Sequence, residues 1–100
     1  MNRTINAILI SPADDVVTII DDIAPGGVAK FMKGDALAEI TVTDNVPKYQ
    51  KVAIQNISNG SVVRKYGEVI GVATQDIARG SHVHMHNIAS QPLAVSKGRA

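Results

Sequence analysis

One hundred residues with a formal charge of +1 bound the chain to a single domain with one modest core, short for an enzyme that carries a whole substrate cleft of its own. Lys and Arg are interspersed with Asp and Glu, and one Phe with two Tyr makes no stacking platform, so nothing points to nucleic acid. The absence of cysteine removes disulfides, thiolate metal sites and thiol nucleophiles, and suits a reducing compartment.

At the start of the chain, Arg3 precedes the apolar run Ala7-Ile8-Leu9-Ile10, four residues that fall well short of a signal peptide or a membrane span; the cytoplasm is the expected location. Short segments rich in Val, Ile and Thr follow at 4–10, 16–20, 38–43, 51–54, 61–64, 69–73 and 81–85, separated by Pro, Gly, Asp and Asn. The pattern is all-β, with a helical turn as the reading for residues 22–32. Residues 1–89 read as one domain, and 90–100, with Pro92 and the basic Lys97-Gly98-Arg99, as a tail or the start of a linker.

An internal repeat organises these strands. A shift of twenty residues aligns Ala53 with Ala73, Asn56 with Asp76, Ile57 with Ile77, Gly60 with Gly80 and Val63 with Val83; Asp22, Ile23 and Gly26 form a fainter copy thirty-four residues earlier than the first. The unit is a strand, Asp or Asn, Ile, two variable residues, Gly, and another strand. The polar residue can bond nearby amides, the Ile enters the core, and the Gly supplies the positive φ that closes the turn. Such corners predict a compact, folded-over barrel of short strands rather than a solenoid.

All three histidines, His82, His84 and His86, lie close together at alternating positions. On a strand they would share one face, with ligand positions about 6–7 Å apart, spaced to act as acid and base or to share a metal. The acidic pairs Asp14-Asp15 and Asp21-Asp22 put adjacent carboxylates on opposite faces, which suits turns and solvated charge better than acid/base dyads. Lys51 reads as a surface charge.

In order along the chain, Val46-Pro47, Lys51-Val52-Ala53, Asn56-Ile57-x-x-Gly60, Lys65-Tyr66-Gly67-x-x-Ile70-Gly71, Asp76-Ile77-x-x-Gly80 and Val83-His84-x-His86-Asn87 resemble the N-terminal module of the altronate and galactarate dehydratase family. That module also occurs as the free-standing small subunit of altronate dehydratase and of sulfolactate sulfo-lyase. The resemblance implies a small SAF, or antifreeze-like, domain of β-clip fold. It implies a sugar-acid lyase subunit, inactive without a large catalytic partner chain, that eliminates water from an aldonate or aldarate. Its alternatives are a sulfolactate sulfo-lyase small subunit, a non-catalytic substrate-binding or interaction module, and a structural domain forming a homo-oligomer, the last suggested by 45% hydrophobic residues in so small a chain.

On this reading His84 and His86 are the candidate catalytic residues and candidate ligands of a divalent metal, iron or manganese, shared with the partner subunit. Lys65 and Asn87 are the candidate substrate contacts, weighed against plain roles in a hairpin corner and a strand-ending turn. His82, which the resemblance does not single out, reads as a solvated strand residue. One departure stands out. Where the family pattern usually has Pro-x-Gly-His-Lys, this chain has Pro47-Lys48-Tyr49-Gln50-Lys51. Gln50 neither titrates near neutrality nor ligates metals well, which implies a different substrate or lost activity, and Tyr49 in place of glycine implies a corner of altered shape.

Overall fold

The computed structural model describes residues 5–90. Nine short strands, and no helix among the described residues, follow one another as β1 (Ala7–Ile8), β2 (Val16–Ile19), β3 (Val28–Lys33), β4 (Ala36–Thr41), β5 (Lys51–Ala53), β6 (Val62–Lys65), β7 (Glu68–Ala73), β8 (His82–Val83) and β9 (Ile88–Ala89). They form three antiparallel sheets: β1-β2-β5-β8, the hairpin β3-β4, and β6-β7-β9. The all-β expectation is met. Residues 28–32, read as part of a helical turn, instead lie in β3, because its alternation of buried Ala29 and Phe31 with Lys30 and Met32 has the period of a strand. The expected tail beyond residue 90 lies outside the described residues.

The repeat is real and larger than three copies. The corners at Ile23, Ile57 and Ile77 end in Gly26, Gly60 and Gly80, at φ of 90°, 90° and 94°. A fourth corner, Asn45-Val46-Pro47-Lys48-Tyr49, has the same hydrogen bonds with Tyr49 at φ 71°. The amides of Tyr49 and Gly80 donate to the carbonyls of Ile19 and Ala53, and Gln50 and Ser81 donate to Pro47 and Ala78. The corner expected to change shape has therefore kept it. An added Cβ at Gly26 or Gly60 would meet nothing within 4 Å, so the outlay for Tyr49 is conformational, about 1–2 kcal/mol. Gly80 has no such freedom, since a Cβ there would lie 2.4 Å from the Thr41 carbonyl oxygen.

The corners face one another in pairs. Ile23 exchanges both backbone hydrogen bonds with Val46, and Ile57 with Ile77. Their leading polar residues reach across: Asp22 accepts from the Lys48 amide at 2.7 Å, Asp76 from Asn59 at 2.9 Å, and Asn56 from Arg79 at 2.9 Å. Asn45 has no matching donor, because its counterpart is Pro25. The chain is thus two like halves, each a strand, a corner, a hairpin, a facing corner and a strand. The first half runs from β2 to β5 and the second from β5 to β8, so β5 belongs to both. Val52 packs in one core with Phe31, Ile40 and Val46; Ala53 packs in the other with Val63, Ile77 and Val83.

Two buried carboxylates hold the second hairpin in place. Asp14 accepts from the amides of Ser11, Tyr66 and Gly67 at 3.0, 3.0 and 2.7 Å, and Asp15 accepts from the Arg64 amide at 2.9 Å and from the Gln55 side chain. The expectation of solvated charge is corrected for this pair, which is 4% and 9% exposed: a turn whose N–H groups point inward needs acceptors that water cannot supply. The turn itself, Tyr66-Gly67 at φ 59° and 74° between paired Lys65 and Glu68, has the twist of a two-residue type I′ hairpin. Asp14→Ala should lower the unfolding free energy by about 2–4 kcal/mol in urea titrations, because it strands three donors at once. A loss below about 1 kcal/mol would remove Asp14 as the clamp.

Candidate functional site

The histidines sit where β8 ends. The expected strand over 81–85 stops at Val83, and the chain turns through 84–87, with the His84 carbonyl accepting from the Asn87 and Ile88 amides. A side chain holds the backbone at each histidine, from elsewhere at His82 and His86 and from within the turn at His84. The Asp44 carboxylate accepts from the His82 amide at 2.9 Å, Gln75 donates to the His86 carbonyl at 3.2 Å, and Asn87 donates to the His82 carbonyl at 2.8 Å while accepting from the His84 amide at 3.0 Å. Asn87, expected as a substrate contact, is 5% exposed and turns both ends of its amide to this loop. It shapes the site from beneath.

The three rings do gather, by a strand and a turn rather than by strand alternation alone. His82, read as a bystander, is central: its ring centroid lies 5.5 Å from that of His84, nearly parallel at 11°, and 5.5 Å from that of His86 at 46°. On the neighbouring strand Val52 pairs with His82, which puts residue 50 on the same face; the Gln50 Oε1 lies 3.3 Å from His82 Nε2. The signal that could have rescued His82 was therefore Gln50, the position where the chain leaves the family pattern.

Cations dominate this corner of the molecule. Partial burial, the His86 and His84 imidazoles and the Lys51 ammonium hold His82 below the ordinary histidine value, against the pull of Asp44. Lys51, expected as a surface charge, is half-buried on β5, and burial followed by the charge of Lys65 lowers its own ammonium. Lys65 ends β6 with its ammonium 4.7 Å from the centroid of the Tyr66 ring. Among the described residues no group of three His, Cys, Asp or Glu side chains is placed to hold a metal ion. An imidazole lone pair lies in its ring plane, so the near-parallel His82 and His84 do not aim at one ion, and no carboxylate completes a ligand set. An open cleft of about 350 Å³ lies elsewhere, between the facing corners, lined by Asn56, Ile57, Ser58, Asp76, Ile77 and Ala78. Its Asn56 and Asp76 side chains are already engaged with backbone amides, and Ser58 is its one other polar side chain.

Comparison with known proteins agrees with this fold and these motifs. The family described as the altronate/galactarate dehydratase SAF domain matches residues 5–91. The chain belongs to that family. Altronate dehydratase of Bacillus subtilis (strain 168) is 36% identical to this SAF domain over 84 residues, covering 80% of the chain and 15% of the relative. Altronate dehydratase of Escherichia coli (strain K12) is 36% identical over 80 residues, with the same coverage of 80% and 15%. The (2R)-sulfolactate sulfo-lyase subunit alpha of Chromohalobacter salexigens is 30% identical over 87 residues, covering 83% of the chain and 93% of the relative. The SAF chain thus spans about 15% of the length of the altronate dehydratases and nearly all of the sulfo-lyase subunit. Among its described residues no helix is long and apolar enough to cross a membrane.

The histidine cluster makes the SAF domain sensitive to acid. His82 takes up a proton less readily in the folded domain than in the unfolded chain, so its neutral form favours folding above the unfolded value near 6.5, and that contribution is lost as pH falls toward the lower folded value. Thermal midpoints followed from about pH 7.5 to 5 should fall less steeply in His82→Gln than in the native chain. Equal slopes would refute the assignment.

Proposed function

We propose that this chain is the small subunit, or the N-terminal module, of a sugar-acid lyase of the altronate dehydratase type, working with a large catalytic chain in the cytoplasm. The observation that carries the reading is the gathering of three imidazoles on one braced loop, in a domain whose relatives are parts of lyases. Eliminating water beside a carboxylate requires a base for the weakly acidic proton on the carbon next to it and an acid for the departing hydroxide. His84 and His86 take these two roles. His82, kept neutral by its surroundings, separates them and stacks on His84. Lys65 and Lys51 add positive charge that favours an enediolate over its neutral precursor.

A divalent metal, iron or manganese, is the alternative use of the same pair at the junction with the large chain, since an imidazole whose lone pair binds an ion does not also act as the base. This domain would then supply His84 and His86, and the partner the carboxylate ligands, since no ligand group of three is formed among the described residues. When bound, such an ion polarises the substrate carboxylate.

A second reading, sulfite elimination by a sulfo-lyase small subunit, is favoured by the near-complete coverage of the subunit alpha relative. A third, a binding or interaction module without catalysis, is favoured by Gln50, which meets His82 with an amide that cannot carry protons at neutral pH. One set of assays separates them. The chain is mixed with a large dehydratase-like chain, and water or sulfite loss is measured on several aldonates and on sulfolactate, with and without iron or manganese. His84→Ala with His86→Ala should keep assembly and lower kcat by about 10²–10⁴-fold. Full activity in that variant assigns the loop to binding alone, and inactivity of the native mixture on every acid removes the lyase reading.

A further inference from the structure

The two tyrosines of this chain are also the two non-glycine residues with positive φ among the described residues, Tyr49 at 71° and Tyr66 at 59°. An aromatic residue in that region is strained, and packing does not hold either one there, since the two residues are 69% and 60% exposed. Backbone geometry does not require them. The other three corners build the same turn with glycine, and Asn would suit the hairpin position of Tyr66 with less strain. Each tyrosine follows a lysine whose ammonium lies beside its ring, Lys48 at 5.6 Å and Lys65 at 4.7 Å from the centroid. Both pairs also lead to the histidine loop. Gln50, next after Tyr49, meets His82, and Lys65 is close enough for its charge to be felt by Lys51, on the strand β5 that pairs with β8.

We propose that Lys48–Tyr49 and Lys65–Tyr66 are paired ligand-reading arms that hold the carbon chain of a polyhydroxy carboxylate at the histidine loop. Each ring lies on a C–H face of the carbon chain, and the neighbouring ammonium meets the acid group. The strain is retained because a glycine or asparagine would keep the turn and lose the arm. The nature of the acid rests on the lyase reading; the existence of the arms does not.

The chain has no tryptophan, so its intrinsic emission reports on these two rings alone. Titrating the purified chain with sodium D-gluconate should change that emission saturably, and titrating it with sorbitol, which has no carboxylate, should not. Tyr49→Gly and Tyr66→Asn, each leaving one reporter ring, should weaken gluconate binding about tenfold while the thermal midpoint stays the same or rises. The proposal is overturned if the native emission does not respond, or if both variants bind gluconate as the native chain does. It is also overturned if the variants lose only their affinity for the large chain, which would make the tyrosines anchors for a partner. A mixture with the large chain that binds gluconate through these rings yet eliminates nothing from any acid would overturn the lyase reading and leave the arms standing.

Discussion

Two small exchanges of backbone hydrogen bonds, Ile23 with Val46 and Ile57 with Ile77, hold the fold together. Each ties corners more than a hairpin apart in sequence, and each buries the pair of side chains it aligns. The hairpins β3-β4 and β6-β7 are carried on these bridges, since each springs from one corner and returns to the facing one. Short strands alone would give too little ladder for stability; pairing the corners supplies long-range contacts that local turns cannot. The cross-corner bonds of Asp22, Asp76 and Asn56 reinforce the bridges, and the one place where that bond is missing is explained by Pro25.

Much of this was legible in the residues. Asp or Asn, Ile, two variable positions and Gly marked three corners, and each lies where the pattern placed it. The fourth escaped because Val46 and Tyr49 replace the Ile and Gly of the unit, although the backbone is unchanged. β3 escaped because Pro25, Gly26 and Gly27 obscured where a strand could start, and the Lys residues among its apolar ones blurred the alternation. Asp14 and Asp15 were misread as solvated because sequence shows a carboxylate but not the inward-pointing amides that a distant hairpin brings to it.

The candidate site divides in the same way. That the histidines lie together was legible in their spacing, although a turn, not strand alternation, brings His84 and His86 to His82. That His82 lies at the centre depends on β5 lying beside β8, a long-range pairing that sequence spacing does not reveal. Asp44 and Gln75 reach this loop from other parts of the chain and Asn87 braces it from within, so the backbone carrying the imidazoles is fixed by polar bonds. The main chain beneath the rings is thus held still, while the His82 ring is engaged by Gln50 and stacks on His84. Lys51 acts on His82 from one side and Asp44 from the other, with opposite effects on its charge.

The strand β5 has a further meaning. It ends the first half of the molecule and begins the second, with Val52 in one core and Ala53 in the other, like a party wall between adjoining houses. Neither half owns it outright. A single half cut from this chain would keep its two corners and its hairpin, but one of the two halves would lose a wall and have to borrow a strand from another copy. The present chain therefore has the form of an intertwined pair of half-sized units joined in one chain, with the histidine loop following the second unit's last strand.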